Sequence, residues 1–182
     1  MLDLLRERSF ARKRVVLASG KESDFFIDCK QVVLSAEGHA IVGERMFTAL
    51  SDLRTMPEAV AGVELGGCPL ASAVSLVSFQ RGKPLDAIYV RKTVKDHGTA
   101  QRIEGDGRLP ALAKIVVLED VVTTGGSTLA AVQQLRSRPF QVVGVIALVD
   151  RLEGGREALE AAGLEFVALY TKPDFMTSSS RE

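Results

Sequence analysis

The chain has 182 residues, 46% hydrophobic and 25% charged, with 23 basic and 23 acidic side chains and a formal net charge of zero. That balance gives no global electrostatic basis for binding DNA, RNA or a membrane surface, and no apolar run approaches the length of a membrane span. Two cysteines, Cys29 and Cys68, and two histidines make neither a disulfide framework nor a Cys/His zinc site, so a reducing cytoplasm is the expected compartment.

A first helix is expected over residues 2–9, then two extended runs at 14–18 and 24–28, divided by the Ser19-Gly20 turn signal. Residues 35–53 read as an amphipathic helix, with Ile41, Met46, Phe47 and Leu50 near helical spacing and Ser35 as its cap. Apolar strands are expected at 59–63, 87–91, 114–118 and 142–149, with a late candidate at 166–169 and helices at 69–79 and 129–135. Short, nearly all-apolar strands joined by helices predict the α/β class, with a central, mainly parallel sheet flanked by helices. Ligands of such a sheet lie beyond the C-terminal strand ends. Glu64, Arg91, Glu119-Asp120 and Asp150-Arg151 all fall there. Residues 92–110, KTVKDHGTAQRIEGDGRLP, break the alternation. A loop of that length inside a compact domain is usually functional or disordered. With no repeat, linker or second domain visible, residues 1–182 read as one domain, and the polar tail 177–182 is expected to fray.

The run from Val116 to Thr128, VVLEDVVTTGGST, passes from an apolar strand through two acids into a Thr/Gly/Ser turn and then a helix. A helix start of this kind offers unpaired backbone N–H groups and hydroxyls to a phosphate, with the acids positioned toward the rest of the ligand. No Lys follows the glycines, which excludes a Walker A loop. The plain alternative is an acid-capped helix after a strand, but hydroxyls and glycines fill the whole turn. The pattern resembles the ribose-phosphate signature of the type I phosphoribosyltransferases, enzymes that use 5-phosphoribosyl 1-diphosphate (PRPP). The resemblance implies that Glu119 and Asp120 hold the ribose hydroxyls. It implies a 5-phosphate cradle made by Thr123, Thr124, Gly125, Gly126, Ser127 and Thr128.

At the root of the long loop, Arg91-Lys92-Thr93-Val94-Lys95-Asp96-His97-Gly98 gathers three cations and a histidine. Cations on a mobile segment can close over a departing pyrophosphate and stabilise its charge. A solvated, salt-bridged loop is the alternative, since Asp96, Glu104 and Asp106 offset much of that charge. The wording RKTVKDHGTAQRIEG resembles the mobile catalytic loop of the orotate phosphoribosyltransferase family. That resemblance implies pyrophosphate-side contacts from Arg91, Lys92, Lys95 and His97, with Lys95, Asp120 and Arg91 as the catalytic set and Lys95 as the main transition-state stabiliser. It also implies a homodimer, because in the family this loop reaches the partner subunit's site.

Three further segments bear on the resemblance. Leu17 to Phe26, LASGKESDFF, looks like the family's N-terminal base-binding segment, part of a hood over about residues 1–34. Lys21 would approach the ligands there and Phe25 and Phe26 would flank the pyrimidine ring, although adjacent phenylalanines also suit plain core packing. Arg151 occupies the place where the family binds the orotate carboxylate, a group that a guanidinium meets in bidentate fashion. The third segment departs from the commonest pattern: Glu64-Leu65-Gly66-Gly67-Cys68-Pro69 has Gly66 where many relatives carry a lysine in the pyrophosphate loop. Cys68 lies beside it, but no partnering histidine is apparent and the implied reaction needs no covalent step.

The resemblance implies transfer of a phosphoribosyl group from PRPP to N1 of orotate, with Mg²⁺ as cofactor held largely by ligand and water. Two other readings share the same motifs: a type I phosphoribosyltransferase with another acceptor base, and a non-catalytic PRPP-sensing regulator.

Overall fold

In the computed structural model, which describes residues 1–16, 22–92 and 102–176, the chain opens with helix α1 (Leu2–Arg8) and an antiparallel ribbon of β1 (Phe10–Val16) and β2 (Glu22–Ile27). Helices α2 (Lys30–Val33) and α3 (Ala36–Ala49) follow. Helix α3 begins where the Ser35 side chain accepts a hydrogen bond from the Gly38 N–H, the cap its sequence proposed. Next come β3 (Ala59–Val63), α4 (Gly67–Gln80), β4 (Asp86–Val90), β5 (Ile103–Glu104), β6 (Lys114–Val122) and α5 (Gly126–Arg136). The described chain ends with β7 (Gln141–Asp150), α6 (Gly155–Ala161), β8 (Glu165–Thr171) and α7 (Lys172–Met176).

Six strands form the central sheet in the order β5-β4-β3-β6-β7-β8, parallel throughout except where β5 runs antiparallel to β4. Period-two alternation sends Val116 and Leu118 to one face, where they pack with Val42, Met46, Leu70 and Val74 of α3 and α4. Ile115 and Val117 go to the other, packed with Ala131, Val132 and Leu135 of α5 and Leu159 of α6. The chain moves outward from β3 to β4, then crosses to the other side of β3 as β6. The crevice between the ends of β3 and β6 is therefore the switch point of the sheet, where the loops into α4 and α5 leave on opposite faces.

Five features differ from the sequence-based expectation. Strand β1 starts at Phe10, four residues before the expected 14. Strand β6 runs to Val122 rather than stopping at 118, so Glu119 and Asp120 lie inside the strand. Helices α2, α6 and α7 were not foreseen; they have four, seven and five residues, too few for a helical period to stand out. Part of the expected loop 92–110 is ordered edge structure, since β5 pairs with β4 and a 3₁₀ turn spans Asp106–Arg108. Ile103 is the buried apolar residue of that short strand and is flanked by charges, so no alternation marked it. Finally, α4 starts at Gly67 and α5 at Gly126, earlier than their first apolar residues indicated. Among the described residues no helix is long and apolar enough to cross a membrane.

Candidate active site at the switch point

The pleat of β6 sends adjacent side chains to opposite faces, and it separates the two acids. Glu119 lies on the α5 face, 3% exposed, where its Oε1 accepts a hydrogen bond from Ser127 Oγ at 3.3 Å. Burial, reinforced by the charge of Asp120, pushes the Glu119 carboxyl up to about 8, so it holds a proton at neutral pH in the ligand-free chain. Asp120 lies on the α4 face. Its Oδ1 accepts from the Val121 N–H at 2.9 Å, and burial raises its carboxyl above the ordinary range despite that bond.

The turn after β6 carries Thr123 to Thr128 into α5. Gly125 caps the helix at φ 79°, a left-handed conformation that favours glycine, and its carbonyl accepts the first helical bond from Leu129. The first amides of α5 have no partner within the helix, which leaves them for an anion. Thr128 is 1% exposed, and its Oγ1 has no hydrogen-bond partner among the described residues.

Across the switch point, Gly66 packs directly against the Asp120 carboxylate. A Cβ at Gly66 would overlap that carboxylate, so the position has no room for a side chain while Asp120 keeps this rotamer. Gly67 is equally tight against the Leu118 carbonyl. Two cations act on Asp120 in place of a lysine at 66. Lys30 is held by Asp28 at 2.6 Å, and Lys92 lowers the carboxyl pKa of both Glu119 and Asp120. The Lys92 N–H donates to Glu64 Oε2 at 3.0 Å, fixing the root of the long loop to the end of β3. Arg91 is engaged differently: its Nε donates to Glu104 Oε1 at 2.8 Å, on the β5 side. Cys68 is half-buried, and burial pushes its thiol up to about 11, which removes it as a thiolate nucleophile.

The third part lies at the ends of β7 and β8. The Arg151 N–H donates to the Val122 carbonyl at 2.9 Å, tying this corner to the strand end that precedes the 123–128 turn. The Arg151 guanidinium is 2.8 Å from Glu153 Oε1 and 5.3 Å from the centroid of the Phe25 ring. Phe25 is fully buried in an aromatic group with Phe10 and Phe175, so its ring is core beneath Arg151, as the packing alternative had it. Phe26 is half-buried with Lys13 Nζ 3.8 Å over its ring. The structure thus brings Glu119, Asp120, Lys92 and the 123–128 turn together, with Phe25 and Arg151 on one side. Lys21, Lys95 and His97 lie outside the described residues.

A family model, the phosphoribosyl transferase domain, matches residues 34–162. The chain is 67% identical to the orotate phosphoribosyltransferase of Sorangium cellulosum (strain So ce56) over 97% of its own length and 91% of that protein. The chain belongs to the orotate phosphoribosyltransferase family. A second member, from Bradyrhizobium sp. (strain ORS 278), is 43% identical over 97% of this chain and 95% of its own. Among solved structures, the Mycobacterium tuberculosis H37Rv orotate phosphoribosyltransferase in complex with PRPP matches with TM-score 0.77 and 32% identity, covering 97% of this chain and 96% of that one.

As a member of this family the chain is expected to use a divalent cation, and its donor set fits a particular kind. Among the described residues no three Asp, Glu, His or Cys side chains gather as a metal cage. The oxygen donors present are the carboxylates of Glu119 and Asp120, one on each face of β6. That suits Mg²⁺, which is typically bound through one or two carboxylates, water and substrate phosphates. Sequence reasoning passed over Lys30 and its tether Asp28, which lie just beyond the Phe25-Phe26 pair. Their only signal was an acid two residues before a lysine, which is indistinguishable from a surface pair until the fold brings Lys30 within electrostatic reach of Asp120.

Proposed function

We propose that the chain is an orotate phosphoribosyltransferase, transferring the phosphoribosyl group of PRPP to N1 of orotate to give orotidine 5-monophosphate and pyrophosphate in UMP synthesis. The observation that carries this reading is the tie between two chemistries. A phosphate-binding helix start follows β6, and the Arg151 corner hydrogen-bonds to the same strand end. A sugar phosphate and a carboxylated acceptor are thereby held side by side. The PRPP complex of the mycobacterial relative supports the donor half.

In the reaction, the N1–C1 bond forms as the C1–O bond to pyrophosphate breaks and the N1 proton leaves to solvent, through a state with positive charge on the sugar and negative charge on the departing group. The chain needs no covalent nucleophile; it must fix the ribose, present the base and neutralise the leaving group. The Thr123–Thr128 turn holds the 5-phosphate with its amides and hydroxyls. Glu119 and Asp120 accept hydrogen bonds from the ribose hydroxyls, and Glu119 releases its proton to solvent as they bind. Asp120 and Glu119 are also the residues that would hold Mg²⁺, whose contribution is to offset charge on the diphosphate oxygens. Arg91, Lys92, Lys95 and His97 serve the pyrophosphate, with Lys95 strengthening its contact as charge develops. Lys21 and the β1–β2 ribbon cover the base, and Arg151 binds its carboxylate. Closure of the segment between Lys92 and β5 excludes water that would otherwise hydrolyse PRPP. The working unit is a homodimer in the cytoplasm, with the loop of each subunit serving its partner.

The test is an assay of orotate consumption with PRPP and Mg²⁺, run beside adenine, hypoxanthine and uracil. Turnover of orotate alone is expected. Turnover of any other base without orotate overturns the substrate, and PRPP binding without pyrophosphate release from any acceptor makes the chain a sensor.

A further inference from the structure

Lys172 belongs to none of the sequence motifs, yet it shares a cavity with Arg151. The cavity has a volume of about 480 Å³ and is bounded by Arg151, Leu152, Glu153, Lys172, Pro173 and Met176. Its two cations are neighbours because β7 and β8 pair in parallel with Asp150 opposite Thr171, which sets Arg151 and Lys172 one step beyond the last paired residues. Both lie near a single ring: Lys172 Nζ is 5.7 Å from the Phe25 centroid and Arg151 Cζ 5.3 Å.

Arg151 already has a carboxylate partner in Glu153 at 2.8 Å, so the pair alone gives an incoming anion little net attraction. Lys172 has a weaker commitment. Its acidic partner, Asp24, is 3.8 Å away and its side chain is 72% exposed. A loose, solvated pair of that kind contributes little, and an ammonium has three donors to direct elsewhere.

The rest of the lining is apolar, from Leu152, Pro173 and Met176, as a flat ring requires. Leu152 is held at φ 56°, a left-handed conformation uncommon for a bulky side chain, while its N–H donates to the buried Asp150 Oδ1 at 2.8 Å. Its side chain nevertheless remains 54% exposed. Strain of this sort is retained where a side chain must be presented rather than packed.

We propose that Lys172 is a second acceptor-binding cation, whose ammonium meets the carboxylate of the anionic pyrimidine beside Arg151 and favours a carboxylated base over a neutral one. The proposal rests on reading the Arg151 corner as the acceptor site. It is tested with Lys172→Met, Lys172→Gln, Lys172→Arg and Asp24→Asn, measuring kcat and separate KM values for orotate and PRPP, with orotate binding followed by calorimetry. The neutral variants are expected to raise the KM for orotate about tenfold, the loss of one charge-assisted contact. The KM for PRPP should stay within about twofold, and Lys172→Arg should restore most of the loss. Asp24→Asn should leave orotate binding unchanged or tighter, because it frees the ammonium. An unchanged KM for orotate in a folded neutral variant overturns the proposal. So does an Asp24→Asn variant that reproduces the loss, since Lys172 would then be a strut between β2 and α7. Wild-type protein that binds PRPP but never consumes orotate would instead refute the function itself.

Discussion

Two carboxylates that are neighbours in the chain have different surroundings because a strand alternates. Glu119 faces the 123–128 turn and accepts a hydrogen bond from Ser127, whereas Asp120 faces the loop after β3 and rests on Gly66. The consequence for Glu119 is electrostatic. Its carboxyl rises from about 4.5 in an open chain to about 8 in the fold, mainly because burial disfavours the charged form. Between those two values the folded chain keeps a proton that the unfolded chain has released. Ligand-free stability is therefore fully present below pH 4.5 and falls as pH rises through about 8. Glu119→Gln should be insensitive to this loss. Its melting temperature should match the wild type near pH 5 and exceed it by at least about 3 °C above pH 8, while its affinity for PRPP drops. Thermal melts across that range check the point; a margin independent of pH would show that Glu119 is ionised in the folded chain.

Between elements, the decisive contact is where the β3–α4 loop meets β6. Gly66 leaves no lysine for the pyrophosphate, but it leaves space that the Asp120 carboxylate fills, and Lys30 and Lys92 supply the nearby positive charge. Gly66→Ala should therefore force Asp120 out of its rotamer and cost roughly tenfold or more in kcat/KM for PRPP, with less than about 1 kcal/mol lost from stability at this solvent-side turn. Steady-state kinetics beside a denaturation curve separate the two effects, and unaltered kinetics would remove Asp120 placement as the reason for the glycine. The sequence carried one half of this arrangement. Apolar runs such as 59–63 and hydroxyl-rich turns such as 123–128 are local signals, and both were readable as elements. The separation of Glu119 from Asp120 depended on β6 extending four residues past Leu118, through two acids that interrupt the apolar run before Val121 and Val122. The link from Asp28 through Lys30 to Asp120 spans about half of the chain, and only the closed fold reveals it.

For the whole molecule, the doubly covered sheet explains where the site lies but leaves apolar surface outside it. Leu76 and Phe79, one turn apart on α4, are 56% and 74% exposed, and Leu65 in the loop before α4 is 65% exposed. The zero net charge does nothing to oppose association through such a surface. A dimer that shares its sites makes a quantitative demand. Chains carrying Lys95→Ala, or Asp120→Asn, should each be nearly inactive alone. Mixed and allowed to exchange subunits, half of the dimers are hybrids. If Lys95 serves the partner's site, each hybrid has one site with both residues intact, so about a quarter of wild-type activity should return. If Lys95 serves its own subunit, every hybrid site lacks one of the two residues and mixing restores nothing. Activity measured against time after mixing, with subunit exchange followed in parallel by mass spectrometry, distinguishes the two arrangements. Leu76→Glu with Phe79→Glu should abolish the recovery by preventing assembly, provided sedimentation shows the doubly substituted chain as a folded monomer.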